Sequence, residues 1–190
     1  MNKNRLESFS DAVLAIILTI MVLELKAPTG SEISALTPIV PIFLGYVLSF
    51  LYIGIYWNNH HHLIKATKKV SGSILWINLI LLFWLSLLPF TTAWMSEHYF
   101  AKWPTIIYGF ILLMASISYF ILQNAIIKNE GEESIIKKAL GKDHKGKISV
   151  ILYLVAMCAA VISTQISHTI FVVVALMWII PDRRIEKVLP

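Results

Sequence analysis

The sequence predicts an all-α membrane protein with six transmembrane helices, and three observations support this fold class. First, 57% of the 190 residues are hydrophobic and the mean hydropathy is +0.73, whereas soluble domains are about 45–50% apolar. Second, the apolar residues form runs long enough to cross a bilayer. Third, the basic residues lie in the short gaps between these runs, so the net charge of +5 indicates membrane topology and no nucleic-acid partner is expected.

Each predicted span follows from the length of an apolar run, because about 20 residues cross the hydrocarbon core. This criterion gives spans at 6–25, 36–63, 72–96 and 104–127. The last run, 148–181, would be about 50 Å long as a single helix, which is too long for the bilayer. A polar cluster at 163–169 offers a turn, so we predict two short spans at 148–164 and 167–181. All six spans form one domain, residues 1–190.

The distribution of lysine and arginine predicts how these spans are oriented. With six spans and the N-terminus inside, only Lys26 and Lys102 fall in outside segments. A five-span arrangement would place Arg183 and Arg184 outside, against the positive-inside rule. We therefore expect a multi-pass protein of the cell membrane with both termini in the cytoplasm. The longest gap, 128–147, is expected to be a cytoplasmic loop.

The first span carries a narrow apolar stripe on one face. At about 100° per residue, the stripe contains Ala12, Ile16, Thr19, Ile20 and Leu23, while Ser10 and Asp11 point to another side of the helix. The stripe contains no charged residue. Two interpretations remain open at this point: a seam that packs against another helix, or the lining of a pore that excludes water.

Asp11 requires a polar partner, because an unpaired carboxylate inside a membrane is costly. Trp57 and His60 lie three residues apart on the second span, near the same membrane edge, and their N–H groups could reach Asp11 or the Ser10 hydroxyl. This group of residues could be a packing network or a proton relay. His60, His61 and His62 are consecutive, so their side chains diverge by about 100° and no metal site is expected.

Motifs of enzymes are missing from the sequence. It contains no glycine-rich phosphate loop and no G-x-S-x-G elbow, and Cys158 is the only cysteine. No cofactor and no enzymatic activity are therefore expected. The alternative is a small membrane enzyme or a proton-coupled carrier that uses Asp11 and His60. The potassium-filter motif T-V-G-Y-G is also absent, so a pore in this protein would select ions by another route.

The start of the chain resembles the TMEM175 family of potassium channels. The motif R-x-x-x-F-S-D, formed by Arg5, Phe9, Ser10 and Asp11, is the most specific part of this resemblance. W-x-x-H at 57–60, Asn78-Leu79, Leu88-Pro89-Phe90 and P-D-R-R-I-E at 181–186 follow in order along the chain and also resemble bacterial members.

The resemblance implies a homotetramer in the lipid bilayer, with four copies of the first helix around a central pore. Potassium and other monovalent cations would pass through this pore with weak selectivity. By position, the constriction falls on Ile16, with Leu23 further outward and Thr19 or Ile20 between them. The resemblance also implies a structural network behind the pore, whose members are Arg5, Phe9, Ser10, Asp11, Trp57, His60 and Asn78. Ala12 stands where the family often has glycine.

Overall fold

The computed structural model is entirely α-helical over the residues it describes, which are 3–131, 134, 136–137 and 143–179. A short 3₁₀ segment, Ile33–Ile39, leads into the second helix. The α-helices are α1 (Lys3–Leu23), α2 (Val40–Ala66), α3 (Gly72–Ser86), α4 (Leu88–Glu97), α5 (Lys102–Glu130), α6 (His144–Ala159) and α7 (Thr164–Ile179). The predicted all-α fold class is confirmed. The P-D-R-R-I-E segment, Arg183 and Arg184 lie outside the described residues.

Among the described residues, four segments are long and apolar enough to cross a membrane: Lys3–Leu23, Ile33–Ala66, Gly72–Glu97 and Lys102–Glu130. The protein is therefore a multi-pass membrane protein. In the third segment, α3 and α4 are two helices that meet at Leu87. Pro89 lies in the first turn of α4, and because proline has no N–H it cannot continue the helical hydrogen bonds of α3.

The last two helices form a hairpin whose turn occupies residues 160–163. This differs from the predicted break at 165–166, because Thr164 and Gln165 begin α7 and do not form the turn. Polar residues are well tolerated in the first turn of a helix, whose N–H groups have no partner in the helix. Ser167 also bonds back across the hairpin, since its hydroxyl donates to the Ala156 carbonyl at 2.7 Å. α6 and α7 have 16 residues each, so each is about 24 Å long.

The region predicted as a single loop, 128–147, is shorter than expected at both ends. α5 continues to Glu130, and α6 begins at His144 with Asp143 as its N-cap. The Asp143 carboxylate accepts a hydrogen bond from the Gly146 backbone N–H at 2.9 Å, which explains why a helix starts within a lysine-rich segment.

The helices are arranged so that α1 lies at one side of the bundle. α1 packs against α2, α3 and α4, whereas α6 and α7 pack against α5 and each other, and α7 also touches α2. α5 lies in the middle and contacts α3, α4, α6 and α7. α2 and α4 approach closely at Gly45, where an added Cβ would overlap the Ser96 hydroxyl.

Candidate functional site

α1 has one face inside the bundle and one face outside it. The buried residues are Leu6, Ser10, Leu14, Ile17 and Met21. Their spacing of three or four residues is that of a single helix face, which packs on α2, α3 and α4. The opposite face leaves 59% of Ile16, 43% of Ile20 and 73% of Leu23 exposed, and Thr19 is exposed with them. These four residues of the stripe therefore share one open face of the subunit.

Thr19 adds little polarity to this open face. Its hydroxyl donates to the Ala15 carbonyl of the same helix at 2.9 Å, so its proton is already used. What remains on the surface is largely aliphatic from Ile16 to Leu23. Such a surface offers no strong ligand to a metal or an anion, and it can either pack on another apolar surface or line a passage that water leaves easily.

A buried chain of hydrogen bonds joins the inside face of α1 to α3 and α2. Asn78 donates from Nδ2 to Ser10 Oγ at 3.0 Å, and its Oδ1 lies 2.7 Å from His60 Nε2. Ser10 Oγ in turn donates to the Leu6 carbonyl at 2.9 Å. Ser10, Asn78 and His60 are all buried.

The direction of this chain fixes the protonation of the imidazole nitrogen that faces Asn78. The amide oxygen can only accept, so His60 Nε2 must carry the proton in this contact. The donors then run in one direction, from His60 through Asn78 and Ser10 to the Leu6 carbonyl. His60 Nδ1 is buried, and none of the described residues forms a hydrogen bond with it.

A second set of contacts joins α1 to α2 nearer the surface. Trp57 Nε1 donates to Asp11 Oδ1 at 3.0 Å, and His61 Nδ1 lies 2.8 Å from Glu7 Oε1. Glu7 and Asp11 are four residues apart on α1, as Trp57 and His61 are on α2. The two pairs therefore form parallel rungs between antiparallel helices.

The structure thus brings together five of the seven residues expected in the network: Ser10, Asp11, Trp57, His60 and Asn78. Asp11 pairs with Trp57, and His60 pairs with Asn78. Arg5 and Phe9 lie elsewhere, since both are exposed on the subunit surface. Arg5 lies about three turns before Ile16 on the same helix, and Phe9 about two turns before it, so both share the open face of Ile16.

Sequence reasoning missed the pair formed by Glu7 and His61. The signal was present in the four-residue spacing of the acidic residues on α1, which matches the spacing of Trp57 and His61 on α2. His60 and His61 have different partners, since His60 contacts Asn78 and His61 contacts Glu7, while the His62 ring lies against that of His61. Among the described residues, no group of three or more His, Cys, Asp or Glu side chains could hold a metal ion.

Comparison with known proteins places this site in a family. Residues 5–89 match the family described as "Endosomal/lysosomal potassium channel TMEM175", and this segment includes α1 to α3 with the whole network. A potassium channel of a Chryseobacterium strain is 54% identical over 187 residues, which cover 98% of this chain and 97% of that protein. The chain belongs to the TMEM175 family.

Other similar proteins agree with this assignment. The crystal structure of a lysosomal potassium-selective channel TMEM175 homolog from Chamaesiphon minutus superimposes with a TM-score of 0.80 at 27% identity, covering 95% of this chain and 97% of that one. The human endosomal/lysosomal proton channel TMEM175 is 31% identical over 116 residues, which cover 55% of this chain and 23% of the human protein. These relatives are named as ion channels, so membership of the TMEM175 family indicates a channel and not an enzyme.

Proposed function

We infer that this protein is a potassium-permeable cation channel in which copies of α1 line a central pore. The observation that carries this inference is the open apolar face of α1, which no helix covers in the part of the subunit that the structure describes. A membrane protein can leave such a face open to lipid, to a neighbouring subunit or to a pore. Membership of the TMEM175 family, together with the potassium-channel names of its bacterial relatives, favours the pore.

Four copies of the chain form the channel, as the resemblance to the family implies. Each subunit contributes Ile16 to the narrowest ring, with Thr19, Ile20 and Leu23 further outward. An aliphatic ring resists wetting when it is narrow and admits a partly hydrated cation when the helices move apart. Because this ring supplies no carbonyl or carboxylate ligands, it discriminates weakly between potassium and other monovalent cations.

The outer end of α1 supports cation permeation. Glu24 and Glu97 line the same groove, of about 620 Å³, beside Ile20. Two carboxylates beside the pore stripe attract cations and repel anions before ions reach the apolar ring. This end is the outer one in the proposed orientation, in which both termini are cytoplasmic and the protein resides in the cell membrane. Lys3 supports that orientation, since its Nζ donates to the Lys65 carbonyl and both residues lie at the inner end.

The hydrogen-bonded network holds α1 in place behind the pore. It fixes the inner half of α1 against α2 and α3 through buried bonds, whereas the pore-facing residues make none of these bonds. Its role is therefore structural. Asp11 and His60 have different partners, which is why a direct proton relay between them is not part of the proposal.

Flux measurements on purified protein in liposomes test the proposed function. Vesicles loaded with potassium and a potassium-sensitive dye should lose potassium down its gradient at a rate that rises with protein content, while protein-free vesicles should not. A pH-sensitive dye in parallel vesicles separates cation flux from proton flux, which matters because animal relatives are named as proton channels. Proton movement without potassium movement would overturn the proposal. Native mass spectrometry of the same preparation should give four chains, and a monomer that still conducts would overturn the central pore.

A further inference from the structure

A small aromatic cavity lies on the other side of α2 from the network. It is enclosed by α2, α5, α6 and α7, has a volume of about 30 Å³ and is partly open. Six aromatic residues line it: Tyr52, Tyr56, Tyr119, Phe120, Tyr153 and Trp178. The channel proposed above has no use for this cavity, because α1 does not contribute to it.

The cavity wall carries a negative charge from one carboxylate. Asp143 is the only charged side chain among the described residues that line the cavity. Its carboxylate is held in place, since Oδ1 accepts from the Gly146 N–H at 2.9 Å and Oδ2 accepts from Gln123 Nε2 at 3.2 Å. A carboxylate oxygen has two acceptor positions, so each oxygen retains one. The wall therefore combines a fixed negative group with many π-faces.

A cationic group already contacts one of these rings. Lys145 Nζ lies 5.7 Å from the centre of the Trp178 ring, within the distance of a cation–π interaction. The Trp178 ring is itself oriented by a hydrogen bond from Nε1 to Ser149 Oγ at 2.8 Å. The Trp178 ring therefore already makes a cation–π contact within the folded subunit.

We propose that this cavity binds the head of a primary alkylammonium ion. Aromatic walls with a nearby carboxylate are how proteins recognise organic ammonium groups. The size selects among them: a water needs about 10–15 Å³ of such volume, so the cavity holds about two water-sized groups, which fits an NH₃⁺ group and its first methylene. A quaternary ammonium carries four carbons around nitrogen and is too large. An alkali ion has no alkyl group to place against the six aromatic rings of the wall.

The position of the cavity connects it to the pore helix. Tyr56 and Asn59 line the cavity, and Trp57 and His60 in the same two turns of α2 hold α1, Trp57 through its bond to Asp11 and His60 through Asn78 and Ser10. A bound ammonium would stabilise α2 against α5 and the α6–α7 hairpin. Binding itself does not depend on the protein being a channel, so it can be measured separately from ion flux.

Binding of n-butylammonium to the full chain in detergent tests the proposal. Calorimetry should give one butylammonium per chain, and the thermal midpoint should rise with butylammonium at constant ionic strength. Tetramethylammonium and potassium at the same ionic strength should give neither effect. Equal binding of tetramethylammonium or potassium, or no binding by the wild-type protein, would overturn the proposal.

Two variants locate the site within the protein. Asp143→Asn keeps a residue suited to the N-cap and removes the charge, and should weaken butylammonium binding at least about tenfold, as expected for the loss of a charged hydrogen-bond partner. Ser116→Leu leaves Asp143 intact, fills the cavity and should also prevent binding, so the test remains decisive if one variant fails to fold. Glu32→Gln removes an exposed carboxylate elsewhere and is the matched control, which should bind like the wild type. Unchanged affinity in either cavity variant would refute this location.

Discussion

Replacing Ile16 with asparagine separates a pore-lining residue from one that packs in an ordinary helix seam. Burial of a whole isoleucine side chain is worth about 1.5–3 kcal/mol. Because 59% of Ile16 is exposed in the subunit, its replacement should lower the cost of wetting by about 1–2 kcal/mol per subunit, and by about 4–7 kcal/mol for a ring of four. If only part of this reduction lowers the free-energy barrier to permeation, cation flux should still rise at least about tenfold, since about 1.4 kcal/mol is a factor of ten.

The assay is potassium and sodium flux in liposomes, normalised to the amount of intact tetramer. Ile151→Asn is the matched control, because Ile151 is also 59% exposed but lies on α6, which packs against α5 and α7. The Ile16 variant should conduct faster with less discrimination between the two ions, and the Ile151 variant should conduct like the wild type. If Ile16→Asn lowers both tetramer yield and flux, Ile16 packs in a seam and the reasoning fails. Equal increases in both variants would refute it as well.

Three substitutions test the packing around α1 by thermal unfolding in detergent. Asn78→Ala should lower the free energy of unfolding by about 1–3 kcal/mol, because it removes a hydrogen-bond partner from each of two buried groups, Ser10 Oγ and His60 Nε2. Asn124 Nδ2 donates to the Phe120 carbonyl of its own helix, so Asn124→Ala should have little effect, and equal losses would contradict the network. Gly45→Ala should cost about 1–3 kcal/mol by overpacking α2 against α4, whereas Gly54→Ala meets open space, so a loss there of similar size would argue against close packing. Ile17→Ala should cost about 2–5 kcal/mol because Ile17 is 3% exposed, and a stability like that of the wild type would show that this face of α1 is not in the core.

Hydrophobic periodicity and length were sufficient to predict the helical architecture. The long apolar runs allow few alternatives in a bilayer, where the backbone must satisfy its own hydrogen bonds. The break between α3 and α4 was less visible. Leu88-Pro89 carried the signal, but the apolar run continues across it, so length alone indicated one uninterrupted span. The α6–α7 turn was placed too late because polar residues occur both in turns and in the first turn of a helix, as Thr164 and Gln165 do here.

The angles of α1 predicted which residues share a face, but not what lies opposite each face. Trp57 and His60 were expected near Asp11 as a pair, yet their positions on α2 direct one to Asp11 and the other to Asn78 on α3. A three-helix contact of this kind depends on the rotation of each helix in the bundle, which periodicity within one helix does not give. The exposure of Arg5 and Phe9 likewise follows from the rotation of α1 and not from the motif that contains them.

The hydrogen bonds from His60 to the Leu6 carbonyl all donate in one direction. Position 78 therefore requires a side chain that accepts from His60 and donates to Ser10, and shape alone does not meet this requirement. Aspartate has nearly the shape of asparagine, but an ionised carboxylate has no proton to offer Ser10, whose own proton is committed to the Leu6 carbonyl. Residue 78 must therefore accept one hydrogen bond and donate another. A neutral amide can do both, whereas an ionised carboxylate can only accept. As a result, the innermost contact behind α1 contains no fixed anion, and a permeating cation finds no carboxylate at position 78 to bind.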